Sequence, residues 1–228
     1  DPLFTGALPA GDDVSTEHPG SRDEDGVLQD DDARGAGLGP ALVPILSLEI
    51  SQDINGRVDR FLGILEQIVS QPIVTREDDS RFWGPYVGSS SGGSALLRVD
   101  RSPGATDVFT YALGVSAEEP ESTDRHGSWE DVVTGDFTRT GESLRQGSGS
   151  FCWDADLHAA YVPGIQSRGL MCVDHERVDS ARMLHVDFAD WLGDDGLRGR
   201  EGYYFQLNSD RGGVLEYVWQ REFWSLGA

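Results

Sequence analysis

The chain has 228 residues, in which 40 aspartates and glutamates face 18 basic residues, and its formal net charge at pH 7 is -22. Such a charge repels a phosphate backbone, so the composition excludes a nucleic-acid-binding protein. No segment approaches the roughly 18 apolar residues that a membrane-spanning helix requires, and the most apolar segment, residues 41–48, contains Pro44. Because no motif specific for one reaction appears, the sequence predicts architecture more than chemistry.

Residues 1–40 are rich in glycine, proline and acidic side chains, and they show almost no apolar periodicity. The first 34 residues carry ten acidic side chains and two arginines. This composition predicts an acidic extended or disordered tail, followed by a single domain over residues 41–228. We expect such a tail to be either a spacer behind an N-terminal lipid anchor that has been lost, or a disordered N-terminal extension of a secreted protein.

One amphipathic helix is predicted at residues 51–69. Ser51 or Asp53 can cap its start, and Pro72 follows its end. Its apolar residues recur at spacings of three and four and form one stripe, which comprises Ile54, Val58, Phe61, Leu62, Leu65, Ile68 and Val69. We expect this stripe to pack on or inside the remainder of the domain.

After residue 80 the period of the apolar residues changes to two, which is typical of strands with one buried face. The candidate strands cover residues 82–88, 94–100, 107–117, 128–139, 148–157, 168–175, 181–191, 201–208 and 213–221. Short turns connect them, and no helical pattern intervenes. The sequence therefore predicts a mainly β fold, an antiparallel meander that closes into a barrel or half-barrel with the helix packed on or in it.

A set of aromatic residues in these strands shares one parity, so that a rolled sheet directs this set to a common interior. The set comprises Phe109, Tyr111, Trp129, Phe137, Trp153, Tyr203, Phe205 and Trp219. If the helix fills this interior, these side chains form an ordinary core. If the helix caps one end instead, they line a pocket for an apolar or aromatic ligand.

The two cysteines lie on either side of a Pro163-Gly164 turn signal. An antiparallel hairpin centred on Val162 places Cys152 directly opposite Cys172, within reach of a disulfide. A disulfide at this position predicts an oxidising, extracytoplasmic compartment, namely the periplasm, the outer membrane surface or the medium. The alternative is a pair of free buried thiols.

Candidate metal ligands follow the same hairpin. Asp154, Asp156 and His158 alternate along one predicted strand and share a face, and Asp174 approaches them from the neighbouring strand. Carboxylates, with or without an imidazole, are suitable ligands for a divalent cation. The alternative interpretation of these residues is an ordinary strand face exposed to solvent. A second candidate cluster, which depends on the register, comprises His175, His185 and Asp187.

The acidic lead, the single helix and the segment Gly147-Ser-Gly-Ser-Phe-Cys-Trp-Asp-Ala-Asp156 resemble uncharacterised bacterial envelope lipoproteins with a β-barrel body. The resemblance implies a periplasmic or cell-surface location and a ligand-holding concavity. It carries over no functional residue.

Together these patterns predict a non-catalytic, extracytoplasmic structural or accessory subunit of an envelope-associated assembly. We expect it to bind a protein partner through the acidic tail or a strand edge, and to contact a membrane only through a lost lipid anchor. One alternative is a barrel that holds an apolar or aromatic ligand. The other is a metal-assisted hydrolase, for which no catalytic set is selected by the sequence and whose only cofactor is the divalent cation.

Overall fold

The computed structural model describes residues 1–14, 42–87, 93–104, 106–117, 129–192, 198–209 and 213–221. Its helices are α1 (Pro2–Thr5), α2 (Gly11–Val14), α3 (Leu42–Val69) and α4 (Ala155–Tyr161). Its strands are β1 (Thr75–Arg76), β2 (Ser80–Val87), β3 (Ser94–Ser102), β4 (Asp107–Ser116), β5 (Glu130–Arg139), β6 (Gly147–Asp154), β7 (Leu170–Val178), β8 (Ala181–Leu192), β9 (Arg198–Leu207) and β10 (Gly213–Arg221).

The ten strands form a single antiparallel sheet in chain order, in which each strand pairs with the next. The predicted mainly β meander is therefore confirmed, and the nine predicted strands correspond to β2 through β10. Of the two predicted forms, a barrel and a half-barrel, the closed barrel is wrong, because among the described strands β1 and β10 do not pair with each other. Closure requires pairing on both sides of every strand, and β1, with only two residues, offers no ladder that the nine-residue β10 can join.

The inner face of the sheet is the one that carries the buried aromatic side chains, and helix α3 packs on it. Phe61 of α3 stacks on Phe151 with 4.8 Å between ring centroids and on Trp153 with 5.5 Å. Helix α3 starts at Leu42, well before the predicted start at residue 51. Pro44 is compatible with this earlier start because a proline in the first helical turn breaks no backbone hydrogen bond.

The first fourteen residues also belong to the core, which corrects the prediction of an acidic tail for this part of the chain. Phe4, Ala7, Leu8 and Val14 are buried, and the ring of Phe4 meets that of Phe109 edge-on at a centroid distance of 5.9 Å. Averaged over residues 1–40, the composition is acidic, so these few apolar side chains did not indicate a buried segment. The remainder of the predicted tail, residues 15–40, lies outside the described residues.

Ion pairs hold this N-terminal segment in place. Asp13 lies 2.8 Å from Arg145 and 3.0 Å from Arg177, and its own side chain is almost completely buried. Asp1 pairs with Arg81 at 3.0 Å, and the guanidinium of Arg81 lies 4.1 Å from the centroid of the Phe4 ring. Two of the acidic residues that indicated a tail are therefore anchors to the sheet.

A disulfide joins Cys152 of β6 to Cys172 of β7, as predicted. The two residues are direct partners in the register, with a Cα–Cα distance of 4.1 Å and an S–S bond of 2.08 Å. The bridge lies on the outer face of the sheet, opposite to the face that carries Phe151 and Trp153. Because disulfides persist where thiols are not kept reduced, the bond indicates a non-reducing environment.

We expect the double substitution of Cys152→Ser with Cys172→Ser to lower the free energy of unfolding by about 3 kcal/mol, because the bridge closes a 20-residue segment that includes α4. The measurement is urea-induced unfolding followed by circular dichroism. Reduced wild-type protein is the matched control, and it should unfold at the midpoint of the double variant. A wild-type midpoint that does not change on reduction would contradict the prediction.

Candidate functional site

The predicted metal ligands after β6 do not share a strand face, because the strand ends at Asp154. The carboxylate of Asp154 accepts a hydrogen bond of 2.8 Å from the backbone N–H of Leu157 and caps α4, which starts at Ala155. An aspartate at this position satisfies an N–H group that has no partner within the helix. The prediction that Asp154, Asp156 and His158 project from one face is therefore wrong.

Each of the two remaining residues of this motif has a structural partner. Asp156 accepts hydrogen bonds from Arg198 at 2.9 and 3.1 Å, and these bonds lower the pKa of its carboxyl group. His158 is buried and accepts a hydrogen bond of 3.1 Å at Nδ1 from the indole N–H of Trp153. Burial lowers the pKa of the His158 imidazole to about 4, so that it is neutral at neutral pH.

Asp174 lies on the outer face, away from the other three predicted ligands. Its carboxylate is 3.5 Å from Nδ1 of His185, whose Nε2 is 3.6 Å from Asp187. His175, the third member of the second candidate cluster, is buried on the inner face and stacks on Phe137. In the described ranges, no group of three or more histidine, cysteine, aspartate or glutamate side chains is arranged to hold a metal ion.

Most of the predicted aromatic ligand site is packed in the core. The buried members of the set are Phe109, Tyr111, Phe137, Trp153, Tyr203 and Phe205. Trp129 is half-buried, and the side chain of Trp219 lies outside the described residues. Of the two uses that the sequence left open for this interior, the packing of α3 and of the N-terminal segment against it favours the core.

The edge of the sheet formed by β10 is a more distinctive feature. All nine residues of β10 pair with β9, from Gly213 opposite Leu207 to Arg221 opposite Gly199, and no other described strand flanks β10. Val214 and Val218 project from the outer face, and they are 47% and 69% exposed. Exposed edges of this length are ready templates for pairing with another chain.

The direction of the backbone groups of β10 follows from the disulfide. The Cα–Cα distance of 4.1 Å between Cys152 and Cys172 is typical of a pair that exchanges no backbone hydrogen bonds. The N–H and C=O groups of one residue point to the same side of its strand. A residue that exchanges no backbone hydrogen bonds with one neighbouring strand therefore exchanges them with the other, so the two kinds of pair alternate from strand to strand across the sheet. The register leads from Cys172 to Asp187, from Asp187 to Gly202 and from Gly202 to Val218. The pair of Gly202 and Val218 is therefore hydrogen-bonded.

Because the backbone groups of successive residues point to opposite sides of a strand, Val214, Glu216 and Val218 direct theirs toward β9. Leu215 and Tyr217 direct their N–H and C=O groups to the open edge. An incoming strand can therefore form hydrogen bonds with every second residue of β10. The opposite end of the sheet differs, since β1 has only two residues and short edge strands are a common protection against such pairing.

A buried ion pair between α3 and β9 supports this edge from the inner face. Nη1 of Arg57 donates a hydrogen bond of 2.7 Å to Glu201, its Nη2 pairs with Asp53, and its guanidinium lies 5.1 Å from the centre of the Phe188 ring. Burial, with a smaller effect from Glu201, raises the pKa of the Tyr217 hydroxyl on β10 to about 12.

Sequence reasoning missed this cluster and the edge strand as a candidate site. The spacing of four between Asp53 and Arg57 on one helix was an available signal for their ion pair. No local pattern indicated Glu201, which is 144 residues away from Arg57.

Two further findings bear on the setting of this site. In the part of the chain that the structure describes, no helix has both the length and the apolar character needed to cross a membrane. Comparison with protein-family models, with curated proteins and with solved structures finds no match to this chain.

Proposed function

We propose that this protein is a non-catalytic structural or accessory subunit of an extracytoplasmic, envelope-associated assembly, and that it binds a partner protein by strand addition to β10. The observation that carries the proposal is the nine-residue edge strand, in which Leu215 and Tyr217 present their backbone groups outward. In this binding mode main-chain hydrogen bonds supply affinity, and the alternate side chains supply specificity.

The packing of the inner face supports a role for the edge over a role for the interior. Phe61 occupies the space above Phe151 and Trp153, and Phe4 packs against Phe109. A barrel that holds an apolar or aromatic ligand needs that space. The interior therefore serves to hold the sheet in shape.

The compartment and the partner surface rest on separate observations. The disulfide supports an oxidising location, for which we propose the periplasm, the outer membrane surface or the medium. Of the two predicted contact regions, β10 supports the strand edge. The acidic region, residues 15–40, lies outside the described residues.

We expect Leu215→Pro to weaken binding of the partner at least about tenfold relative to Leu215→Ala. Both variants lose the leucine side chain, but only proline removes the outward N–H group while leaving the bonds to β9 intact. The partner is first identified in the source organism by photo-crosslinking from a reactive residue placed at Val218. The same reactive residue at Val178, another half-exposed outer position on β7, is the control. Affinity is then measured with the purified partner.

Two results would overturn the proposed function. One is an identical set of crosslinked proteins from Val218 and Val178. The other is equal affinity of the proline and alanine variants, provided that their urea unfolding midpoints agree. If the proline variant does not fold, the dependence of the crosslink on position decides the question.

A further inference from the structure

The side chains of β10 restrict which partner strand can dock on it. This inference rests on the proposed function and adds the chemistry of the partner. Glu216 lies at the centre of the outer side of β10 between the exposed Val214 and Val218, and it forms no ion pair within the described part of the chain. The half-buried Leu215 and Tyr217 lie on the inner side, where they pack against the core.

The pairing geometry places the residue opposite Glu216 close to its carboxylate. Since Glu216 directs its backbone groups to β9, it and its neighbour on an incoming antiparallel strand form a pair without mutual hydrogen bonds. In such pairs the side chains approach most closely, and an opposite charge is favourable whereas a like charge is unfavourable.

The electrostatic surroundings of Glu216 favour a cation at this point. Glu216 lines an outer-face groove of about 310 Å³ together with Asp187, Arg200 and His185. Asp174 lies on the far side of His185 and adds a third carboxylate to the same side of the sheet. The groove also contains one guanidinium, that of Arg200, which lies on β9 opposite Gln220, four positions along β10 from Glu216. The net charge of -22 also steers a basic partner toward the protein.

We propose that the partner of β10 is an extended protein segment with a lysine or arginine opposite Glu216. On the same side it carries β-branched or aromatic residues two positions before and after this basic residue, where they meet Val214 and Val218. The partner's remaining side chains point to the inner side, beside Leu215 and Tyr217 of β10. They are apolar and extend the inner face of the sheet. The inner side of the partner strand is thus apolar throughout, and its outer side carries one basic residue between two apolar residues.

The test uses three synthetic peptides that follow this pattern and differ only at the central outward position, which is lysine, glutamine or glutamate. Binding to the full-length protein is measured by fluorescence anisotropy at low and high salt. We expect the lysine peptide to bind about fivefold to tenfold more tightly than the glutamate peptide, and the difference to decrease at high salt. The preference should disappear in Glu216→Gln and reverse in Glu216→Lys.

The outcomes separate this inference from the proposed function. Equal binding of the three peptides, if it is lost in Leu215→Pro, overturns the basic partner and leaves the docking edge intact. Absence of binding by every peptide also overturns the inference, while the Val218 crosslink to the natural partner continues to decide the proposed function. A lysine preference that persists unchanged in Glu216→Gln likewise overturns it, since the charge that recognises the peptide then lies elsewhere.

Discussion

Replacement of Glu201 by glutamine is expected to lower the free energy of unfolding by about 3 kcal/mol, because Arg57 then keeps its positive charge in the core without its buried counter-charge. The side chains of Arg57 and Glu201 are only 10% and 8% exposed, and they lie 2.7 Å apart. Asp53 remains as a partner but is half-exposed, so it compensates only in part. The measurement is the urea unfolding midpoint and slope at neutral pH.

An apolar replacement of the whole pair separates the cost of a lone buried charge from the value of the pair. In the double variant Arg57→Met with Glu201→Leu, no charge is left without a partner, and we expect a smaller loss of stability than in Glu201→Gln alone. If Glu201→Gln unfolds at the wild-type midpoint, the pair does not fasten α3 to β9 in solution.

Phe61→Ala is expected to cost about 3 to 5 kcal/mol, because it removes a fully buried ring from the interface between α3 and the sheet. The lost contacts are the stacked pairs with Phe151 and Trp153. Arg60→Ala, on the exposed side of the same helix, is the matched control and should change stability by at most about 0.5 kcal/mol. Similar effects of both substitutions would show that α3 does not pack on the inner face.

The strands and their register were predictable because both depend on local patterns. Alternation of apolar and polar residues is a property of a strand with one buried face, wherever that strand lies in the sheet. The pairing of Cys152 with Cys172 required only a hairpin centre at Val162, and the structure confirms this register from Gly147 opposite Arg177 to Asp154 opposite Leu170.

The short helix α4 within that hairpin was missed, although a signal was present. The alternation of Asp154, Asp156 and His158 predicts a continuation of the strand. The same residues also fit a helix start, with an aspartate at the N-cap followed by good helix formers such as Ala155 and Leu157. The strand pattern and the helix pattern are therefore both compatible with these residues. The helix forms because it buries the side chains of Ala155 and His158, a gain that depends on the rest of the fold.

The N-terminal segment shows a different limit of prediction from sequence. Its composition predicts disorder when it is averaged over residues 1–40, but core membership depends on single side chains. Residues 1–14 join the core through the buried side chains of Phe4, Ala7, Leu8 and Val14. Arg81 on β2 pairs with Asp1, and Arg145 and Arg177 pair with Asp13. Those arginines are distant in the sequence, so no window around residue 13 contains them.

By itself, the amino-acid order of this protein determined which residues alternate, which two sulfurs meet and which face is aromatic, since each of these depends on neighbours within one strand or one hairpin. Only the tertiary structure decided that the sheet stays open and that Glu201 lies under Arg57. It also decided that the outward backbone groups of β10 form an edge. These features join residues far apart in the chain, and their free energy exists only when the whole sheet is assembled around α3.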